Sequence, residues 1–371
     1  MANQFGVSPR GRHTVSPLSK KVVISPEYQI STLDQAPELL QNTIDLIEKE
    51  FDYPKAHHFA IDFYPLLESD NHSNNYILIS TQTNKVVGHI GVLHRTLQSK
   101  QSSMAISMLG GICISSALHG RGLLRLLMTH VLNTNNSKSA MFILWSDKLE
   151  LYAKFGFHPA GIQIPCGKTA FPSSGADGFL PIPLSRLTAC ELEQIESIYQ
   201  QSISAQYSTL ERTRKVWNTY QHITSANLYL KKDHSGKIVS YFFCGKGGDL
   251  SNIIHELAYL PTYHDEITTT LSPYTQWVTP TNPNNTVNKE TIFLALFALG
   301  NMASFNDFFH GWSEESSTIS RMPSGQLELC YQNSRLIIST EKFVQLIWGP
   351  NTPTEFSEYF SPIFISGMDS I

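Results

Sequence analysis

The chain has 371 residues, longer than one typical domain, so two or more domains are the starting expectation. Hydrophobic residues make up 41% and charged residues 16%, an ordinary globular balance with material for sizeable cores. A formal charge of −4 excludes a broad basic face gripping nucleic acid, while leaving room for a local basic pocket.

Residues 1–21 mix Ser, Pro, Arg and Lys with scattered apolar residues. They lack the apolar core of a signal peptide and read as an exposed or disordered leader. Tyr28 to Leu33 predicts a short strand. Pro37 opens a helix through Glu48, on which Leu39, Leu40, Ile44 and Ile47 recur at roughly helical spacing. Phe59 to Leu67 predicts another helix, and the Asn-rich residues 71–75 a loop. Tyr76 to Ser80 and Val86 to Leu93 read as a hairpin joined by Gln82-Thr83-Asn84-Lys85. Ser103 to Ser115 is strand-like but interrupted by Gly110-Gly111. Then come a helix from Gly122 to Leu132, a strand from Met141 to Trp145 and a short helix over Lys148 to Phe155. A final pair of strands is expected around Gly161 to Cys166. This order predicts an α/β fold of the α+β kind, a mixed β-sheet flanked by helices over residues 22–170.

Residues 167–180, rich in Gly, Pro and Ser, read as a linker. A second unit, 181–290, repeats the theme: a helix Glu191 to Ile203, strands Leu228 to Lys231 and Ile238 to Cys244, and a helical stretch near Ile253 to Leu260. Asn282 to Asn288 reads as a loop, and residues 291–371 as a small C-terminal α+β cap. The longest apolar run, Ile292 to Leu299, is far too short to span a bilayer. The five cysteines are scattered without a CxxC pair, so neither a disulfide framework nor a zinc site is implied. A soluble protein of the reducing cytoplasm, with no metal and no membrane or nucleic-acid partner, fits best.

The chemistry concentrates between Ile112 and Leu132. A strand, Ile112-Cys113-Ile114-Ser115, enters the turn His119-Gly120-Arg121-Gly122, which opens directly into a helix. Leu124, Leu127, Met128 and Val131 would form one core-facing stripe of that helix. The first N–H groups of a helix have no internal partner, and its dipole places positive charge there. Glycines let an anion approach, and Arg121 and Arg125 can add charge-assisted contacts. The pattern predicts a diphosphate cradle. The Lys-Ser/Thr pair of a triphosphate loop is missing, and so is the third glycine of a dinucleotide fingerprint.

These residues resemble the acyl-CoA-binding motif of the GNAT superfamily of N-acetyltransferases. Its frame is matched here by His119, Gly120-Arg121, Gly122, Leu123 and Leu124, with His119 and Leu124 departing from the strict form. The Arg-Gly-Leu-Leu version is similar to that of two-domain members such as the enhanced-intracellular-survival acetyltransferases. Leu151-Tyr152-Ala153-Lys154-Phe155-Gly156-Phe157 is similar to the family's tyrosine helix and Gly-Phe turn. The resemblance covers residues 22–170 well and implies a degenerate second GNAT-like copy at 181–290. It implies acetyl-CoA as co-substrate, an amine acceptor and direct acyl transfer in a ternary complex. The pantetheine arm would pair with backbone at Ile112, Cys113 and Ile114, and Tyr152 would protonate the leaving thiolate, which suits a phenol.

Other readings stand beside these. Cys113 is expected to be a buried hydrophobe rather than a nucleophile, and His119 either a phosphate contact or a turn residue. His57-His58 and His255-Glu256 lack the companions of a metal site. Candidate general bases are Asp147, Glu150 and, by carry-over from two-domain relatives, the carboxylate of Ile371. Asp249, Glu256, Asp265 and Glu266 either attract a cationic acceptor or form a solvated surface. The rival functions are a catalytically inactive acyl-CoA-binding or protein-interaction module, and a nucleotide-dependent enzyme using the same glycines.

Overall fold

The computed structural model describes residues 22–100, 102–282, 290–310, 318–331, 334–350 and 361–371. The expected leader, and the expected loop beyond Asn282, lie outside the described residues.

The first elements among the described residues are β1 (Val22–Ser25) and β2 (Tyr28–Thr32). A 3-10 turn at Pro37–Leu39 leads into α1 (Leu40–Glu50). The single helix expected over Phe59 to Leu67 is two, α2 (Phe59–Asp62) and α3 (Tyr64–Leu67). Pro65 explains the break, because its ring suits the first turn of a helix but not the interior. β3 (Asn75–Ser80), β4 (Val86–Gln98) and β5 (Ser103–Ile114) form an antiparallel meander. After α4 (Leu123–Asn135), β6 (Met141–Leu144) lies parallel to β5. α5 (Leu149–Ala153) then leads into β7 (His158–Cys166).

β7 is one strand where a pair was expected. It changes partner along its length, and so joins two halves of one sheet. β8 (Phe179–Ile182) begins inside the expected linker and pairs with β10. α6 (Ala189–Tyr199), β9 (Ser208–Leu210), α7 (Arg214–Tyr220), β10 (Asn227–Lys232) and β11 (Ile238–Cys244) follow. The stretch near Ile253 to Leu260, expected to be helical, is instead β12 (Ile254–Tyr259). It is held between β11 and β13 in the sheet, where cross-strand pairing overrides its local helical pattern. α8 (His264–Leu271) and β13 (Gln276–Val278) complete this half.

β14 (Ile292–Leu299), expected in a separate cap, runs antiparallel between β6 and β7 in the middle of the sheet. Its unbroken apolar run is the pattern of a strand covered on both faces. β7 pairs with β14 over its first residues and with β13 over Ile164 to Cys166. The sheet therefore runs β1-β2-β3-β4-β5-β6-β14-β7-β13-β12-β11-β10-β8. Beyond β14 come α9 (Met302–His310), a small antiparallel sheet of β15 (Thr318–Arg321), β16 (Leu327–Tyr331) and β17 (Ser334–Ile338), and α10 (Thr340–Trp348). β18 (Ile363–Phe364) pairs in parallel with β9, and the chain then runs inward to Ile371, which is 8% exposed.

That inward tail is held by buried charge. Asp369 accepts hydrogen bonds from Arg95 of β4 at 3.0 Å and from Arg212 Nη2 at 2.7 Å, and it also bonds the Tyr220 hydroxyl. Arg212 also grips Glu256 of β12 through two nitrogens at 2.8 and 2.6 Å, and lies over the Tyr199 ring. Burial alone would raise the Asp369 carboxyl, yet Arg212 and Arg95 hold it below the usual carboxylate range. Its contribution to stability is present above the unfolded carboxylate pKa, about 3.9, and is lost as pH falls through the lower folded value. Asp369→Asn should flatten that acid limb in urea unfolding measured against pH. Arg212→Leu leaves two buried carboxylates facing one another and should cost about 3–5 kcal/mol.

Candidate active site

At the centre of the sheet β5 carries an irregularity. Gly91 pairs with Gly110 and His89 with Cys113, so Gly111 and Ile112 face the single residue Ile90. This is a β-bulge, and Gly111 takes φ +59° to make it. Behind it, His89 Nδ1 donates to the Gly111 carbonyl oxygen at 2.7 Å, and Nε2 lies 3.0 Å from Asn75 Oδ1. Complete burial pushes the His89 imidazole down to about 4, so it is a neutral pin rather than a charge. β5 stays in register with β6 from Ile106 to Leu109 and parts from it at the bulge.

The opening between these strands leads into a cavity of about 1230 Å³. Ile112, Cys113, Ile114, His119, Gly120, Gly122, Leu123, Leu124, Arg125 and Tyr152 all line it, so most of the residues picked from sequence converge. Arg121 does not; it is exposed at the turn and is absent from the cavity wall. Gly120 and Gly122 take φ +77° and +74°, and a Cβ on either would meet open space. α4 starts at once behind Gly122, with no side-chain cap and no acidic residue in its first turn. Its free N–H groups and positive dipole end thus point out uncompensated, which suits an anion. The buried stripe is Leu123, Leu127, Met128 and Val131; Leu124 is turned aside to the cavity.

His119 Nε2 bonds the Ile114 carbonyl oxygen at 2.9 Å and so braces the turn. Glu50, at the end of α1, accepts from the Ser116 N–H at 3.0 Å and braces the same turn from the other side. Tyr152 is 6% exposed, edge-on to Phe157, and burial pushes its phenol up to about 12. Cys113 is likewise pushed up to about 12 by burial, so its thiol stays protonated, as a buried hydrophobe would.

Of the candidate bases, Asp147 and Ile371 line the cavity and Glu150 does not. Ile371 lies against the bulge: a Cβ on Gly110 would fall 2.9 Å from its carbonyl carbon. Only Asp249 among the acidic residues singled out beyond residue 181 reaches the cavity. Glu256 is spent on Arg212, and on α8 Asp265 pairs with His264 and Glu266 with Lys231 of β10. His57 and His58 face the carboxylates of Asp62 and Glu48 at 3.9 and 3.7 Å.

Two participants are invisible in a local reading. Lys246 reaches across from the loop after β11, where its Nζ donates to the Gly367 and Ser370 carbonyl oxygens at 2.7 and 2.6 Å. Burial lowers this amine to about 7, against the pull of Asp369 and Asp62. His89 is the other; an isolated histidine in an apolar strand is the one local signal it offers.

Residues 35–160 match the family model of the GNAT acetyltransferase domain. That segment is a GNAT domain. The fold around it is shared over most of the chain with solved structures of very different sequence. A probable N-acyltransferase of Enterococcus faecalis superposes with a TM-score of 0.61 at 11% identity, over 93% of this chain and 97% of that one. A GCN5-related N-acetyltransferase of Anabaena variabilis gives 0.58 at 13%, over 93% and 100%. Eis1 of Mycobacterium abscessus gives 0.57 at 10%, over 89% and 91%. No curated protein sequence matches the chain.

The bulge of the GNAT domain can be tested against its neighbouring glycines. Gly111→Ala puts a Cβ 2.9 Å from His89 Nδ1 in an already left-handed backbone. It should cost about 1–3 kcal/mol in urea unfolding. Gly120→Ala meets nothing and should cost only its backbone strain, about 1–2 kcal/mol.

Proposed function

We propose that the protein is an N-acyltransferase that moves an acetyl group from acetyl-CoA to an amine held in the same cavity. The observation that carries this reading is the convergence of the uncapped, glycine-led start of α4, the bulged strand Ile112–Ile114 and Tyr152 on one cavity. The diphosphate docks at Gly120, Gly122, Leu123 and Leu124, with Arg125 beside it. The pantetheine arm runs along Ile112, Cys113 and Ile114, where β5 has left β6. The acceptor nitrogen attacks the thioester carbonyl, the carbon–sulfur bond breaks, and the thiolate takes the Tyr152 proton. A phenol held near 12 is fully protonated at neutral pH and can serve as that donor. Binding both substrates in register supplies much of the acceleration. Asp249, an acidic group from beyond residue 181 on the same cavity wall, would attract a cationic amine. Residues 181–290 belong to this reading as a second GNAT-like copy that lacks the cradle.

Acetyl-CoA at about 100 times its dissociation constant should stabilise the wild type by roughly 2.7 kcal/mol in thermal unfolding. Gly122→Asp, which puts a carboxylate into the cradle, should abolish the shift. No shift in well-folded wild type would remove the acyl-CoA site. Tyr152→Phe should lower kcat on an amine panel while the KM for acetyl-CoA barely moves. Equal loss in both would contradict its role as proton donor.

The acceptor's proton goes to a base, and here Ile371 and Asp147 compete. A terminal carboxylate on Ile371 would stand beside the bulge where the thioester is aligned, whereas Asp147 is exposed at the rim. Extending the chain by a few residues beyond Ile371 separates them. Turnover falling at least about a hundredfold, within the range of lost acid–base catalysis, assigns the base to Ile371. Unchanged turnover assigns it elsewhere.

A further inference from the structure

The second half of the sheet repeats a strand–helix–strand unit, with β12, α8 and β13 standing as β5, α4 and β6 do, and both strand pairs are parallel. β5 and β6 keep register from Ile106↔Met141 to Leu109↔Leu144 before parting; β12 and β13 are joined only at Ile254↔Gln276. Past that one pair the strands separate, and a second cavity of about 430 Å³ lies against them. That volume is within the range of small-molecule sites, about 300–1,000 Å³.

It is not a second acyl-CoA site. The first turn of α8 carries Asp265 and Glu266 where α4 carries no acid, so the dipole end that would meet a diphosphate is already neutralised. No Asp, Glu, Lys, Arg or His lines the cavity among the described residues. Its walls are aliphatic and aromatic: Ile203, Tyr207, Leu257, Tyr259, Val278 and Phe364. The polar groups among them are mostly committed. Gln276 donates its amide to the Leu271 carbonyl oxygen at 3.0 Å, and Tyr207 donates to the Thr279 carbonyl oxygen at 2.8 Å. Of the fully buried side-chain polar atoms on these walls, the hydroxyl of Thr279, a residue 5% exposed, has no partner among the described residues. A charged occupant would lose its hydration with nothing to replace it, whereas an apolar one with a single neutral polar group would not.

We propose that this cleft binds a neutral, largely apolar small molecule carrying one hydroxyl or amide-like group. Its occupant would adjoin the acyl-transfer cavity. Trp277 borders both spaces, and the tail strand gives Phe364 to one and the next residue, Ile365, to the other. The site rests on the lining of this cleft alone and does not depend on the acyl-transfer reading.

The test is calorimetric titration of the full chain with 4-phenylbutan-1-ol, with 4-phenylbutanoate and 4-phenylbutylamine as charged counterparts. The alcohol should bind saturably, at least about tenfold more tightly than either ion, since a buried unpaired charge is costly. Thr268→Trp and Ser272→Phe each fill the cleft from a wall position that is not buried, so the fold should tolerate them. Either variant, with wild-type melting behaviour, should abolish binding. Gly122→Asp should leave it unchanged, which separates this cleft from the larger cavity. Absent saturable binding in wild type, binding that survives a folded filling variant, or equal binding of the charged compounds would each overturn the proposal.

Discussion

A single carboxylate, Asp369, decides where the end of the chain lies. Arg95 comes from the GNAT domain, Arg212 and Tyr220 from the other half, and all three converge on it. Charges buried this deeply are tolerable only as a satisfied network, because each partner removed strands another in a medium that cannot solvate it. The network therefore acts less as a source of stability than as a constraint of geometry. With Asp369 fixed there, Ser366 to Ile371 must thread the cavity, and Lys246 closes the turn through two carbonyls.

That constraint explains features of the GNAT domain that would otherwise be separate. The tail approaches β5 so closely that residue 110 has no room for a side chain. The next residue, Gly111, takes φ +59° in the bulge, with His89 hydrogen-bonded to its carbonyl oxygen behind it. The bulge turns Ile112 to Ile114 away from β6, and the strand so freed leads into the turn before α4. Tail, bulge and the glycine-led start of α4 form one mechanical unit.

Much of this was legible in the sequence because it depends on local rules. Gly120 and Gly122 demand positive φ whatever surrounds them, and a leucine-rich helix behind them announces its own face. The adjacent-pair strands β3 and β4 follow from period and turn chemistry. What escaped was set by distant pairing. β12 looks helical in isolation and becomes a strand because β11 and β13 flank it. β14 enters the sheet between strands more than a hundred residues earlier in the chain, a placement no local window contains. Lys246 sits in the glycine-rich loop Gly245-Lys246-Gly247-Gly248. Its role depends on a tail 121 residues away.

The two strand–helix–strand units show how little separates a cradle from its opposite. Both part a pair of parallel strands and place a helix start near the opening. In one, the helix is led by glycines, left uncapped and free of nearby acids; in the other, two carboxylates occupy its first turn. A helix N-terminus attracts an anion only while its partial charge is unanswered, so two acidic residues suffice to cancel it. Retaining the opening while neutralising its electrostatics leaves shape without charge. Such a space selects by desolvation, and desolvation favours neutral molecules.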